Sequence, residues 1–311
     1  MSSVLNASHF HNEVAAYRFV EARVWPEGPV CPHCGGVEKI GKLEGKSTRP
    51  GVYKCYQCRK PFTVKVGTVF ESSHVKLHLW LQAMFLMASS KKGVSSNQLH
   101  RTLGVTLKTA WFMSHRLRLA MQKVGLEPMG GAGETVEVDE TFIGKMEGVE
   151  KSRGPWHKNV VLTLVQRGGE ARSFHVASTR RYDIEGIVRA NVHRDTALMT
   201  DEANHYKVVG NHFASHDSVL HKNEEYVRYE GSKLVTTNTV EGFYSIFKRG
   251  MKGVYQHCGE RHLHRYLAEF DFRYSNRVAM GVNDLARTDR LVAGIVGKRL
   301  TYRRSDEQPV A

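Results

Sequence analysis

Two sets of side chains in this 311-residue chain have the types and spacings of ligands. The first is Cys31, Cys34, Cys55 and Cys58, two Cys-x-x-Cys pairs separated by twenty residues. Each pair fits a tight knuckle turn that presents two thiolates to one tetrahedral Zn²⁺, and two short hairpins span the interval. A structural zinc ribbon is the direct expectation. Pro32 and Gly35-Gly36 supply the first turn, and Tyr53, Lys54, Pro61, Phe62, Val64 and Val66 read as strands around the second. Disulfides are the competing use of such cysteines. Residues 1–7 are polar and carry no apolar signal stretch, so the chain reads as cytosolic and reducing, which favours metal.

The second set is acidic. Asp139 interrupts the β-rich stretch 136–143, where an isolated carboxylate is costly unless it meets a metal or a strong partner. Asp201 follows the strand-like stretch 197–200, at the strand end where α/β sheets place functional groups. Glu241 falls in the first turn of a helix that begins near Asn238. Two strand aspartates and one helix glutamate suit a pair of hard divalent cations, Mg²⁺ or Mn²⁺, which activate an attacking oxygen and stabilise a leaving one in phosphodiester cleavage. Each acid also has a plainer reading. Glu241 fits the third position of a capping box with Asn238 as cap, Asp201 fits a turn, and Glu137 or Glu140 competes with Asp139 for the inward face. Lys248, two turns beyond Glu241, could grip a DNA phosphate or belong to a solvated basic face with Arg249 and Lys252. His216 and His221 are weaker candidates for holding a DNA strand, and Cys258 among His257, His262 and His264 reads as an odd buried thiol.

The elements that must position these groups divide the chain. Residues 1–25 predict an amphipathic helix over 13–23, residues 26–73 the ribbon, and residues 74–125 a helical region. In the last, residues 76–89 form one helix; then Ser95 or Ser96, the Gly104 turn and Thr106 delimit a helix-turn-helix pattern. Its second helix carries Lys108, His115, Arg116 and Arg118, which suits a recognition helix on DNA; a spacer with solvated basic residues is the alternative. The glycine-rich stretch 129–133 reads as a hinge. Beyond it, residues 134–280 predict strands over 135–143, 159–166 and 171–177, a helix over 183–192, a strand over 197–200, and helices over 239–252 and 261–274. This is the order of a ribonuclease-H-like α/β core. Residues 281–311, with Arg290, Lys298, Arg299, Arg303 and Arg304, read as a basic, partly flexible tail. With 45 Lys plus Arg against 31 Asp plus Glu, the net charge of +14 favours a polyanionic partner. The apolar run 77–88 is too short to cross a bilayer.

Six stretches resemble a known family: CPHCGG, YKCYQCRKPFTVKVGTVFESS, VEVDETFIG, LMTDEANHY, NTVEGFYSIFKRGMKGVY and HLHRYLAEFDFRYSNR. They are similar to the DDE transposases of bacterial insertion sequences that carry an amino-terminal zinc ribbon, the ISXO type. The resemblance covers residues 23–277. It implies a ribonuclease-H-like catalytic domain with its acidic triad on Asp139, Asp201 and Glu241, its lysine on Lys248, and Asn238 as an alternative third ligand. It also implies binding of the element's terminal inverted repeats by the ribbon and helix-turn-helix, and a homo-oligomer on paired ends. Two other functions use parts of the same sequence. A DNA-binding regulator or inactive domesticated transposase needs only the ribbon and helix-turn-helix, and a stand-alone nuclease cuts without joining.

Overall fold

In the computed structural model, which describes residues 3–220, 225–231 and 233–301, the chain falls into two units. The first comprises residues 1–90, 94–122 and 284–311, and the second residues 91–93 and 123–283.

The first unit opens with α1 (Glu13–Val24), whose Asn12 cap accepts the Ala15 N–H at 3.0 Å. The ribbon follows as an antiparallel three-stranded sheet of β1 (Ile40–Lys42), β2 (Tyr53–Cys55) and β3 (Pro61–Phe62). Helix α2 (Leu77–Ser89) is mostly apolar and no residue of it is exposed, with Leu77, Trp80, Leu81, Met87 and Ala88 among its buried residues. Helices α3 (Ser96–Leu103) and α4 (Leu107–Met121) are separated by a short turn at Gly104, with Ser95 and Thr106 accepting the Gln98 and Thr109 N–H groups.

In the second unit β4 (Thr135–Ile143), β5 (Asn159–Gln166) and β6 (Ala171–Val176) form an antiparallel meander. Helix α5 (Arg181–Asn191) crosses over to β7 (Ala197–Thr200), which pairs parallel with β4. Helix α6 (Asn204–Gly210) then leads to β8 (Ser215–Ser218), parallel to β7, so the sheet order is β6-β5-β4-β7-β8. A separate hairpin, β9 (Val227–Glu230) and β10 (Lys233–Thr236), runs into α7 (Asn238–Gly250). A π-helical turn over Met251–Tyr255 and α8 (Leu263–Ser275) complete the unit.

The sheet is covered on both faces. On one, Val136, Val138, Leu162 and Leu164 pack with Ile184 and Val188 of α5 and Val209 of α6. On the other, Ile143, Val161 and Val165 pack with Val240, Phe243 and Phe247 of α7 and Leu267 and Phe270 of α8. Two-sided cover explains why β5 is buried and mostly apolar on both faces, from Val160 to Val165, rather than alternating. Strand alternation also sorts the acids of β4. Asp139 and Glu137 lie on the α7 face, and Glu140 lies on the α6 face, where its Oε1 is 3.1 Å from His205 Nε2.

Two expectations are corrected. The glycine-rich stretch is not a free hinge but part of the second unit. Met129 is buried and bridges Val192, and the Gly130 and Gly131 N–H groups donate to the side chains of Gln166 and Thr196. Gly130 has φ +86°, and a Cβ there would lie 2.3 Å from Thr196 Oγ1, so glycine marks a close packing point rather than flexibility. The described part of the expected basic tail folds as α9 (Asp284–Ala293), with buried Leu291 and Val292. Arg287 Nη1 donates to the Ala88 carbonyl at 3.0 Å, and Ile295 receives the Val69 N–H at 3.3 Å. Apolar spacing at Val282, Leu291, Val292 and Ile295 is the signal that its basic residues masked. Arg303 and Arg304 lie outside the described residues.

Candidate metal centre and acidic cluster

The four cysteine sulfurs all lie within 4.8 Å of one another, with Cys31 to Cys58 at 3.6 Å and Cys34 to Cys55 at 3.7 Å. A tetrahedral zinc with Zn–S bonds of about 2.3 Å requires sulfurs about 3.8 Å apart, so the donor set and its spacing fit Zn²⁺. Local backbone geometry builds this arrangement twice. In the first knuckle Gly35 N–H donates to the Cys31 carbonyl and Gly35 takes φ +73°. In the second, Arg59 occupies the equivalent left-handed position with φ +62°, a conformation that costs a non-glycine residue roughly 1–2 kcal/mol. The backbone N–H of Cys58 pulls the Cys55 thiol down to about 7, toward the thiolate a metal needs.

The acids converge differently. In the parallel register of β4 and β7, Glu137 stands beside Met199; two residues further along each strand are Asp139 and Asp201. Sheet register thus brings together two residues more than sixty positions apart in sequence. Burial pushes Asp139 up to about 7, reinforced by the negative charges of Glu140, Asp201 and Glu241 and opposed by the Glu140 N–H. Among the described residues, the cysteines are the one ligand-type set with all donor atoms within 4.8 Å. The acids instead hold local partners. Asp139 Oδ1 accepts the Glu140 N–H at 2.8 Å, Asp201 Oδ1 accepts the Ala203 N–H at 3.0 Å, and Glu241 Oε1 accepts the Thr237 hydroxyl at 2.9 Å. An acid whose ionisation its acidic neighbours oppose is a group that a divalent cation would relieve, so the residues fit such an ion.

Helix α7 carries Glu241, and its anchorage was not legible in the sequence. Its cap residue is Thr237, one position before Asn238, and makes no side-chain capping bond. Buried Glu137 takes that role from β4. Its Oε2 accepts the Thr239 and Val240 N–H groups at 2.8 and 3.0 Å, and its Oε1 accepts the Thr239 hydroxyl at 2.8 Å. One turn beyond Glu241, the Tyr244 hydroxyl donates to the Asp139 carbonyl at 2.6 Å, and the Lys248 ammonium sits 5.8 Å from the centre of the Tyr244 ring. Asn238 is exposed. His216 is held within the sheet, its Nε2 2.9 Å from Thr200 Oγ1. His221 lies outside the described residues.

Two family models match the chain: a transposase zinc-ribbon domain over residues 11–61 and an ISXO2-like transposase domain over residues 131–275. The first holds the cysteine centre, and the second holds all three acids. The chain carries segments similar to the zinc-ribbon and transposase domains of insertion-sequence transposases. A protein of transposable element ISH50 from Halobacterium salinarum is 25% identical over 266 residues, covering 80% of this chain and 86% of the relative. The matched transposase domain implies nucleic-acid cleavage and DNA binding, and the mixed five-stranded sheet is consistent with a ribonuclease-H-like core. Among the described residues, no helix of this chain is long and apolar enough to cross a membrane.

The basic residues of α4 require a correction. Lys108 is exposed, but His115, Arg116 and Arg118 are buried, at 0%, 6% and 1% exposure, and do not present a DNA-contacting face. Arg116 instead donates to the carbonyls of Val69, Glu71 and Leu300, at 2.8, 2.8 and 3.1 Å. His115 packs against Trp111, and Arg118 donates to Ser114 Oγ. The bonds of Arg116 tie three separate segments together, because buried carbonyls without helix or strand partners need donors from elsewhere.

Proposed function

We propose that the chain is a DNA transposase that binds the terminal inverted repeats of its element and carries out metal-dependent cleavage and strand transfer. The observation that supports this reading is that the β4–β7 register sets Asp201 beside the strand of Asp139, and that the charges of Asp201 and of Glu241 on α7 both act on Asp139. Asp139, Asp201 and Glu241 would hold Mg²⁺ or Mn²⁺, which when bound activates the attacking oxygen and stabilises the leaving one in an in-line displacement. Glu241 is the third ligand in this reading, since its charge acts on Asp139, whereas Asn238 is exposed in the first turn of α7. Lys248 holds a DNA phosphate beside the cluster, its ammonium braced over Tyr244. The zinc held by Cys31, Cys34, Cys55 and Cys58 is structural.

The ribbon and the α3–α4 pair, with Lys108 exposed near the start of α4, serve repeat recognition, and the net charge of +14 supports contact with the DNA backbone. The working protein is a cytosolic homo-oligomer on paired ends and target DNA. An assay of cleavage and joining on repeat-bearing DNA with Mg²⁺ tests the whole reading, with Asp139→Asn as the control. Cutting by that variant at the parental rate would remove the acidic assignment. Cutting without joining would point to a nuclease, and repeat binding without either to a regulator.

A further inference from the structure

Every ligand of the acidic cluster but one lies on or directly after a sheet strand, where register fixes its place. Glu241 is the exception, because it belongs to a helix, and the cluster's geometry depends on where α7 begins. Glu137 determines that point. It is fully buried, it lies two residues before Asp139 on the same face of β4, and both its oxygens are engaged by the first turn of α7. Arg167, in the turn after β5, completes the arrangement. Its Nε donates to Glu137 Oε1 at 2.7 Å, while Nη1 and Nη2 donate to the Leu234 and Thr236 carbonyls at 2.7 and 2.8 Å. Those carbonyls belong to β10, the strand that delivers the chain into α7. One guanidinium thus fixes the approach to the helix, and the carboxylate it pairs with fixes the helix start, both referred to the strand that bears Asp139.

We propose that Glu137, braced by Arg167, is a positioning residue of the acidic cluster: it sets the place of Glu241 relative to Asp139 by clamping the first turn of α7 to β4. The inference rests on the metal-binding reading of Asp139, Asp201 and Glu241 and adds a residue which does not itself touch the ion. Residues that orient metal ligands typically cost 10–100-fold in affinity when changed.

The test is Mn²⁺ binding to the full-length, zinc-loaded protein, followed by electron paramagnetic resonance of free Mn²⁺, in Glu137→Gln, Glu241→Ala and the double variant. Glu137→Gln should weaken Mn²⁺ binding roughly tenfold. In the Glu241→Ala background it should have no further effect, because the clamp then has no ligand to position. Equal weakening in both backgrounds would mean a general structural role and would overturn the proposal, as would unchanged binding in Glu137→Gln when Glu241→Ala is impaired. Unchanged binding in Glu241→Ala would remove the acidic-cluster reading itself, and the proposal with it. Should Glu137→Gln fail to fold, Thr239→Val, which deletes only the hydroxyl donor to Glu137, takes its place with a smaller shift and the same dependence on Glu241. Amide exchange gives an independent readout. Peptides across 233–245 should exchange faster in Glu137→Gln while β5 and β6 stay protected, and unaltered exchange there would count against the clamp.

Discussion

The ribbon and the acidic cluster are both built from ligand-type side chains, yet they are gathered by opposite means. In the ribbon, each pair of ligands sits on one short turn, and the left-handed residues Gly35 and Arg59 close the two knuckles in the same way. In the cluster, Asp139 and Asp201 meet through parallel strand register, and Glu241 arrives on a helix whose start is held by Glu137 of another element. The ribbon's metal ligands have little apolar core around them: Cys31, Cys55 and Phe62 are the buried residues of their cluster, with Trp25 and Tyr53 packed beside them. The cluster stands on a sheet whose two faces are each packed by an extensive apolar core. In the proposed reading a metal is part of the fold in one region and a ligand of a finished fold in the other.

Removing zinc tests that contrast at its largest. Chelation, or Cys55→Ser, should unfold residues 26–62, since zinc contributes about 10–16 kcal/mol in comparable small modules, while the five-stranded sheet keeps its amide protection. Exchange rates measured across both regions decide it, and a ribbon that stays protected without metal would erase the distinction. Asp139→Asn should act in reverse. It should lower cleavage by roughly three orders of magnitude, the scale of losing a preorganised electrostatic group. The metal-free protein should melt higher at pH 8, because a carboxyl held near 7 is ionised there against burial and its acidic neighbours.

Two basic residues of one helix give a smaller comparison. Arg116→Ala leaves three carbonyls without a charged donor and should cost the first unit about 2–4 kcal/mol in denaturant unfolding, with no change in the salt dependence of DNA binding. Lys108→Ala should do the opposite, leaving stability near wild type and reducing the slope of log affinity against log salt by about 1. The smallest effect concerns Asp271 on α8. Its carboxylate oxygens accept the Ser173 N–H and hydroxyl at 2.8 and 2.7 Å, and burial pushes it up to about 7. The unfolded chain ionises this group near 4 and the folded chain near 7, so wild type should lose stability as pH rises through that window. Asp271→Asn should remove on the order of 1–3 kcal/mol of that slope; identical pH profiles of unfolding would show that the carboxyl ionises freely.

Remote capping is a device that both units use. Helix α2 has no side-chain cap of its own, and Glu13 of α1 accepts its Leu77 and His78 N–H groups at 2.8 and 3.2 Å, much as Glu137 serves α7. Neither glutamate was legible as a cap, because capping signals in sequence are local and these partners lie 64 and 102 residues away. The same limit explains α4. Arg116 and Arg118 read as an exposed basic face because charge predicts solvent, and only the packing of distant segments supplied the carbonyls that bury Arg116.

What the amino-acid order determined alone was local: the knuckle cysteines, the Ser95 and Thr106 caps, and the strands and helices whose periodicity survives without neighbours. The family likeness then pointed to the acids. Tertiary structure decided which face of β4 bears Asp139, which carboxylate holds α7, and which cations are buried. These are questions of register and of distant polar partners, and a linear pattern carries neither, because both depend on contacts made only once the chain has closed on itself.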